Sequence, residues 1–255
     1  MDPRAVVHPD ASLDEGVRIG PFAVIGPEVK IGSGTEVLSH AFVDGKVTLG
    51  RDNRIFPFAS IGAQPQDLKY RSEDSEVVIG DRNQIRECAT IHRGTEGGGM
   101  VTRVGDGNLF MAYTHVAHDC IIGNDVVMAN AATLGGHVTI DDGAIIGGLS
   151  GIHQFCRIGS LAMVGGGSVV VMDVPPYTSA QGDRARLFGL NLIGLKRKGF
   201  SPESIDALKS AYRLIFRLDL KLEDAVERVR NGVTDCPEVR HLIDFIEASE
   251  RGITR

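Results

Sequence analysis

The chain has 255 residues, enough to bury a large core, and its 27 basic residues against 33 acidic ones give a net charge of −6. That balance disfavours a protein that binds nucleic acid by neutralising phosphates. The first ten residues, MDPRAVVHPD, lack the charged and then apolar pattern of a signal peptide, and no run of 18 apolar residues could span a bilayer. We therefore expect a cytoplasmic protein without membrane insertion.

A repeat of six residues runs through the first two thirds of the chain. Every sixth residue from Val7 to Ile61 is aliphatic; the phase returns at Ile79, shifts by one residue, and continues from Val104 to Val170. Neither the 3.6-residue period of a helix nor the two-residue period of a strand gives this spacing. It is typical of a parallel β-helix, in which three hexapeptides make a coil of 18 residues. About nine coils would stand roughly 40 Å tall.

Glycines and insertions interrupt this repeat. Glycine often follows the inward aliphatic residue, as at Gly20 and Gly32, where we expect it to permit a tight corner. Residues 63–76 (AQPQDLKYRSEDSE) and 94–102 (GTEGGGMVT) break the period and are predicted to be loops on the binding face. The second has no dinucleotide fingerprint, so we interpret it as a flexible loop.

The repeat is predicted to stop at DVPPY, because Pro175 and Pro176 donate no ladder hydrogen bonds. Ser201 then fits the N-cap of a helix in SPESIDALKSAYRLIF, and KLEDAVERVR and PEVRHLIDFIEASERG predict two more amphipathic helices. Residues 184–198 are basic and contain no acidic residue. They could dock an anionic partner or form a solvated basic surface.

The segment YTHVAHDCIIG, residues 113–123, carries the candidate chemistry. An 18-residue coil stacks His118, Gly136 and Gln154 in one column, about 4.8 Å apart. The residues beside this column include His115, His137 and His153. A neutral imidazole suits a general base, an adjacent carboxylate such as Asp119 could orient it, and a glycine N–H could stabilise an oxyanion. This combination favours acyl transfer to a hydroxyl.

Cysteine chemistry is disfavoured. The four cysteines, Cys88, Cys120, Cys156 and Cys236, are far apart and form no C-x-x-C pair. A disulfide framework and a zinc ribbon are therefore not indicated, and Cys120 is interpreted as structural.

Several motifs together resemble one enzyme family. QDLKY, GDRNQIRECATIHRGT, HVAHDC, GGHV, GIHQF, DVPPY and GLNLIGLKRKGFS are similar to segments of acyl-carrier-protein-dependent UDP-N-acetylglucosamine O-acyltransferases of lipid A biosynthesis. The resemblance covers essentially the whole chain. It implies a β-solenoid, a left-handed parallel β-helix of hexapeptide repeats over residues 1–183, with a small α-helical C-terminal domain over 184–255. It also implies a homotrimer with active sites between subunits, acyl carrier protein and UDP-N-acetylglucosamine as partners, and no cofactor beyond the carrier's phosphopantetheine.

The resemblance assigns roles to individual residues. His118 is the implied general base, Asp119 its orienting partner and Gly136 the oxyanion donor, with no metal. The implied substrate contacts are Gln66, Asp67, Lys69, His115, His137, His153, Gln154, Asn191 and Arg197. Met163 and Gly166 are implied to line the acyl groove, and a glycine at 166 implies a long hydroxyacyl chain.

Some alternatives stay open at this point. Ile193 stands where the family is expected to have an acidic residue, and an acceptor with a 3-amino group is compatible with the motifs. A zinc hydrase of the β-helical type would also use histidines from adjacent coils. A non-catalytic solenoid scaffold is the other alternative.

Overall fold

The computed structural model describes residues 1–218, 220–234 and 236–255. In these residues three sheets of nine, eight and ten strands form the sides of a β-helix, and all pairings between coils are parallel. Sheet 1 comprises Val6–Val7, Val24–Ile25, Phe42–Val43, Ser60–Ala63, Thr90–His92, His115–Val116, Thr133–Leu134, Gly151–Ile152 and Val169–Val170. Sheet 2 comprises Ser12–Leu13, Val29–Ile31, Lys46–Leu49, Glu76–Ile79, Val101–Val104, Ile121–Ile122, Thr139–Ile140 and Arg157–Ile158. Sheet 3 comprises Arg18–Ile19, Glu36–Val37, Arg54–Ile55, Gln84–Ile85, Leu109–Phe110, Val127–Met128, Ile145–Ile146, Met163–Val164, Thr178–Gln181 and Arg186–Leu190.

The hexad repeat correctly identifies the core. His115 pairs with Thr133 and Thr133 with Gly151, so successive coils are offset by 18 residues. The aliphatic residues of the repeat from Ile19 to Val170 are buried, whereas Val7 and Leu13 in the first coil are only partly covered. The structure therefore confirms the coil length and the inward side chains that the period predicts.

The glycines that follow inward residues have a different role from the one predicted. The corners are made by residues in the left-handed conformation, and most of these are not glycine; Phe22 (φ 60°) and Asp119 (φ 60°) are examples. Gly20 and Gly32 do not have positive φ. A β-carbon on Gly32 would instead lie 2.7 Å from the carbonyl of Gly50 in the next coil. These glycines allow the coils to stack closely.

The hexad period ends at DVPPY, but one more parallel strand follows it within the predicted range of the β-helix. Pro175 and Pro176 lie at a corner, next to Tyr177 (φ 68°), where the ladder needs no amide donor. Thr178–Gln181 then pairs with Met163–Val164, and Arg186–Leu190 folds back antiparallel on it as a hairpin.

Four helices follow in the described residues: α1 (Leu192–Arg197), α2 (Pro202–Phe216), α3 (Leu222–Gly232) and α4 (Pro237–Glu247). The Ser201 hydroxyl accepts a hydrogen bond from the Ser204 amide at 3.1 Å, which confirms the predicted N-cap of α2. The short helix α1 lies in the basic segment and was not predicted. Helices α2 to α4 bury most of their apolar faces in a second core, and Tyr212 of α2 packs in the core of the β-helix. None of the described helices is long and apolar enough to cross a membrane.

Candidate active site

His118 and Asp119 lie at the corner between sheets 1 and 2 and face each other. The His118 Nδ1 is 2.8 Å from the Asp119 Oδ2. Neighbouring side chains on a regular strand point to opposite faces, but Asp119 has a left-handed backbone, which turns its carboxylate back toward the imidazole. The bend at the corner therefore brings the side chains of two adjacent residues into contact.

The second insertion, the glycine-rich loop of residues 94–102, covers the Asp119 carboxylate. Thr95 donates its amide to Asp119 Oδ1 at 2.9 Å and its hydroxyl to Oδ2 at 2.6 Å, and the Asp119 side chain is fully buried. Residues Glu96–Gly98 form a short 3₁₀ helix, and a β-carbon on Gly98 would collide with the Asp119 carboxylate. The prediction of a flexible loop is therefore wrong, because these glycines let the backbone pack on Asp119. Thr95 was missed, and its place at the start of the glycine run is the signal that could have found it.

Gly136 lies one coil beyond His118. A β-carbon on Gly136 would lie 2.5 Å from Cε1 and 2.7 Å from Nε2 of the His118 ring, so only glycine leaves room for the imidazole. The Gly136 N–H is buried and meets no hydrogen-bond acceptor among the described residues. The equivalent position, two residues after an inward aliphatic, is proline at Pro21 and Pro57. Because proline has no amide hydrogen, the β-helix needs no backbone donor at this position, and the Gly136 N–H is available for a ligand.

More histidines surround the pair. The His137 ring is edge-on to His118, with centroids 5.0 Å apart, and stacks on Phe155 at 4.4 Å and 6°. His115 contacts the Thr90 hydroxyl through Nδ1 at 2.7 Å and lies 4.8 Å from the ring of His92. His92 and Phe155 were not predicted. The 25-residue offset caused by the glycine-rich loop hides the position of His92 from an 18-residue count.

Burial holds these outer histidines in the neutral form. Desolvation, helped by the neighbouring His115 and His118, lowers the pKa of His92 to about 4. Desolvation also lowers the pKa of His115 and of His137, although Asp119 partly opposes the shift of His137. Burial therefore favours the neutral form of three imidazoles near the buried carboxylate, those of His92, His115 and His137.

The remaining predicted contacts near this corner lie at its edges. Asp67 is close enough to His137 to affect its pKa, and its Oδ1 accepts the Lys69 amide at 2.9 Å. Gln66 and Lys69 are exposed on the first insertion, and Gln154 is exposed on the coil after Gly136.

A second group of predicted residues, on sheet 3 and on the helix α1 that follows it, lies on another side of the β-helix. Met163, Asn191 and Arg197 line a cavity of about 610 Å³, together with the exposed Ile193. The Asn191 carboxamide caps α1 by accepting the Gly194 amide and also donates to the Leu161 carbonyl at 2.9 Å. Gly166 is near this cavity in sequence but lies at the corner between sheets 3 and 1, with an ordinary φ.

Two other chemistries can be compared with this geometry. His118, Asp119 and His137 present ligand atoms within 4.8 Å of one another and could hold a metal ion, but the set has two imidazoles and a carboxylate, not three imidazoles. Burial raises the pKa of the Cys120 thiol to about 12, and its Sγ donates to the Gly135 carbonyl at 3.3 Å. A thiol of that pKa is a poor nucleophile at neutral pH.

Known proteins share this sequence and fold. The profile described as Udp N-acetylglucosamine O-acyltransferase, domain 2, matches residues 173–254, and that of the bacterial transferase hexapeptide (six repeats) matches residues 102–136. The acyl-[acyl-carrier-protein]--UDP-N-acetylglucosamine O-acyltransferase of Myxococcus xanthus is 56% identical over 255 residues, 100% of this chain and 99% of that protein. The structure of LpxA from Acinetobacter baumannii matches with a TM-score of 0.97 and 45% identity, covering 100% of this chain and 99% of that one. A UDP-N-acetylglucosamine acyltransferase from Bacteroides fragilis matches with a TM-score of 0.97 and 42% identity over 100% of both chains.

Proposed function

The chain belongs to the UDP-N-acetylglucosamine O-acyltransferase family, with its left-handed parallel β-helix, and we propose that it transfers a hydroxyacyl chain from acyl carrier protein to the glucosamine 3-position of UDP-N-acetylglucosamine. This reaction is the first step of lipid A biosynthesis. The observation that carries the proposal is the pairing of His118 with a buried carboxylate at 2.8 Å, directly beside the Gly136 N–H, which no acceptor in the described part of the chain meets.

His118 acts as the general base. Because its Nδ1 donates to Asp119, its Nε2 carries the lone pair and takes the proton from the acceptor hydroxyl. Asp119 keeps the imidazole in this tautomer and stabilises the imidazolium that forms. Thr95 holds the carboxylate in place.

The acceptor oxygen then attacks the thioester carbonyl carbon. The Gly136 N–H donates to the oxyanion of the tetrahedral intermediate, and the C–S bond breaks as the intermediate collapses. The departing pantetheine thiolate takes the proton from His118, which restores the neutral base. No covalent enzyme intermediate is needed, in agreement with the high pKa and buried position of Cys120.

The active protein is a homotrimer with sites shared between subunits. The corner between sheets 1 and 2, which carries His118 and Asp119, is called the histidine corner. In one chain it lies on a different side of the β-helix from the cavity of Met163, Asn191 and Arg197. A single site that uses both groups therefore needs a second copy. Contacts with substrate are assigned to the first insertion and the histidine corner of one subunit and to the sheet 3 cavity of the next.

An exposed apolar edge supports this arrangement. The corner between sheets 3 and 1 carries Phe22, Phe58, Tyr113 and Leu149, which are 50%, 60%, 67% and 78% exposed. Such a column is normally covered. If copies meet around this corner, sheet 1 of one faces sheet 3 of the next, which brings the histidines toward the cavity. Light scattering should give the mass of three 27.3 kDa chains, and Tyr113→Asp should lower it. A monomeric but fully active wild type would contradict the shared site.

The acyl donor docks on the basic segment and lays its chain along Met163 and Gly166. Arg197 and Lys196 are exposed there, and Lys198 pairs with Asp125 at 3.0 Å. Acyl carrier protein is the anionic partner, so Arg197→Glu with Lys198→Glu should weaken its use and flatten the salt dependence. Salt-independent kinetics in both proteins would argue against this surface. The proposed reaction takes place in the cytoplasm and uses no cofactor beyond the carrier's phosphopantetheine.

The test of the function is mass analysis of product from a panel of acyl carrier proteins with UDP-N-acetylglucosamine and its 3-amino analogue. We expect ester formation on the hydroxyl with long hydroxyacyl donors. Ile193 is apolar and stands where the family is expected to have an acidic residue. Both acceptors therefore belong in the panel. Activity should survive extensive chelation; loss to a chelator and recovery with Zn²⁺ would favour the hydrase, and inertness to every donor would favour the scaffold.

A further inference from the structure

The C-terminal segment (residues 248–254) crosses the last coils of the β-helix and is fixed there by its backbone. The Thr254 amide donates to the Asp173 carbonyl at 2.7 Å, and Ile253 forms a parallel bridge with Asp173. Arg251 donates through Nε to the Val171 carbonyl at 2.9 Å. These contacts hold the Arg251 guanidinium in a defined place beside the candidate site, on the wall of a cavity of about 470 Å³ that also contacts His137.

From this position Arg251 reaches the imidazole of His153. Its terminal nitrogen is 2.8 Å from His153 Nδ1, and the same Nδ1 is 3.1 Å from the carbonyl of Gln154. One ring nitrogen cannot satisfy both neighbours in a neutral imidazole. It must carry a proton to donate to the carbonyl, and it must carry a lone pair to accept from the arginine.

The guanidinium decides between these two states. Arginine remains protonated at every physiological pH and can only donate. Its contact is also the shorter one and is charge-assisted, which makes it the stronger hydrogen bond. The Nδ1 of His153 is therefore the acceptor, and the proton of the neutral ring resides on Nε2.

We propose that Arg251 is a positioning residue that holds His153 in the Nε2–H tautomer, so that this imidazole donates a hydrogen bond to an acceptor oxygen of the bound substrate. The proposal rests on the acyl-transfer function of the site. Among the described residues, Nε2 of His153 meets no partner, so it is the ring atom left for a ligand. Nothing in the repeat or the motifs of the sequence points to Arg251, which lies 98 residues from His153.

Removal of the guanidinium should reverse the tautomer. In Arg251→Met, Nδ1 is free to donate to the Gln154 carbonyl, and Nε2 then becomes an acceptor that faces the substrate oxygen. The KM for the substrate that His153 contacts should rise roughly tenfold, the value of one hydrogen bond to a charged or buried partner, with little change in kcat. Arg251→Lys keeps a cationic donor and should recover much of the affinity. Arg255→Met removes an exposed arginine four residues further on and should change neither constant.

The tautomer can be observed directly and without substrate. Long-range ¹H–¹⁵N spectra of histidine-labelled protein at pH 8, with the His153 signals assigned by their loss in His153→Ala, distinguish the two tautomers. We expect Nε2–H in the wild type and in Arg251→Lys, and Nδ1–H in Arg251→Met. An Nδ1–H wild type, or an unchanged tautomer in Arg251→Met, would overturn the proposal. These spectra remain decisive even if the acyl transfer proposed above is wrong.

A kinetic cycle separates positioning from general support of the fold. Because Arg251 also anchors the C-terminal segment, Arg251→Met can lower the melting temperature. In a His153→Ala background, however, the same substitution should leave KM unchanged, since the residue it positions is already absent. An equal increase of KM in both backgrounds would show that Arg251 acts through the fold or on substrate directly.

Discussion

The corner between sheets 3 and 1 and the corner between sheets 1 and 2 have the same backbone but different side chains. Tyr113 and Leu149 at the first have φ values of 63° and 59°, and Asp119 and His137 at the second have 60° and 61°. The first pair is mostly exposed and apolar, whereas Asp119 is buried under an inserted loop. The hexad therefore dictates the inward residue and the corner geometry, while the outward corner residue is free to be apolar and exposed or ionisable.

The largest effect is expected when the proposed base is removed. We expect His118→Ala to lower kcat by on the order of 10²–10⁴, because proton transfer loses its acceptor. The fold should be unaffected, since His118 is not a core residue of the repeat. His8→Ala, at an exposed histidine of the first coil, is the matched control. Turnover near the wild-type level in His118→Ala would remove this residue from the mechanism.

The close approach of Gly136 to the His118 ring can be tested by adding a single methyl group. In Gly136→Ala the new carbon would press on the His118 ring, and we expect a loss of about 10²-fold in kcat, similar to the loss of an oxyanion donor. Gly151→Ala meets nothing within 4 Å one coil away and should retain activity. Equal activity of the two variants would mean that His118 and the Gly136 N–H do not act together.

Acid should destabilise the catalytic side of the β-helix. The pKa of His92 falls from 6.5 in the unfolded chain to about 4 in the fold, so the unfolded chain binds more protons between these values. The contribution of His92 to stability should be fully present above pH 6.5 and should be lost as the pH falls toward 4, a change on the order of 3 kcal/mol. Denaturant titrations of wild type and His92→Phe should show a shallower pH dependence in the variant. Parallel curves would show that His92 is not the group responsible.

The contact between the glycine-rich loop and Asp119 can be weakened without changing His118. Thr95→Val removes the hydroxyl that donates to Asp119 at 2.6 Å, and we expect roughly a tenfold loss in kcat, the value of one hydrogen bond to a charged group. Thr133→Val, at an exposed threonine of sheet 1, is the control. An effect confined to KM would instead indicate that Thr95 helps to bind substrate.

The smallest effect is expected at the other corner. Gly166→Met should shift preference toward shorter acyl donors, because each methylene denied burial costs about 0.8 kcal/mol. The ordinary φ of Gly166 permits a side chain, although its β-carbon would approach the Gly148 carbonyl to 3.3 Å. Competition between long and short donors measures the shift. The same preference in a folded, active variant would place the end of the groove elsewhere.

The period of six predicts the β-helix and its coil length, because it appears directly in the inward residues, whereas the left hand came from the family resemblance and helix α1 was not predicted. It also placed His118, Gly136 and Gln154 in one column, since that step depends only on the coil length. The bend at Asp119 was not predicted, because the residue types at these corners give no sign of a left-handed φ; only the position, three residues after the inward one, marks it. Thr95, His92 and Arg251 depend on where an insertion or a distant segment packs, and no local pattern encodes those contacts.

The strands of the first coil are short, which has a consequence for self-association. Sheet 1 ends at Val6–Val7 and sheet 2 at Ser12–Leu13, so each side offers only two residues of open ladder. Pro9, between them, and Pro21 after the next strand offer no amide to an incoming chain. Long, flat edges recruit other β-strands into aggregates, and edges this short and interrupted do not. The first coil therefore offers little open ladder on which another chain could add a strand, which disfavours end-to-end association into fibres.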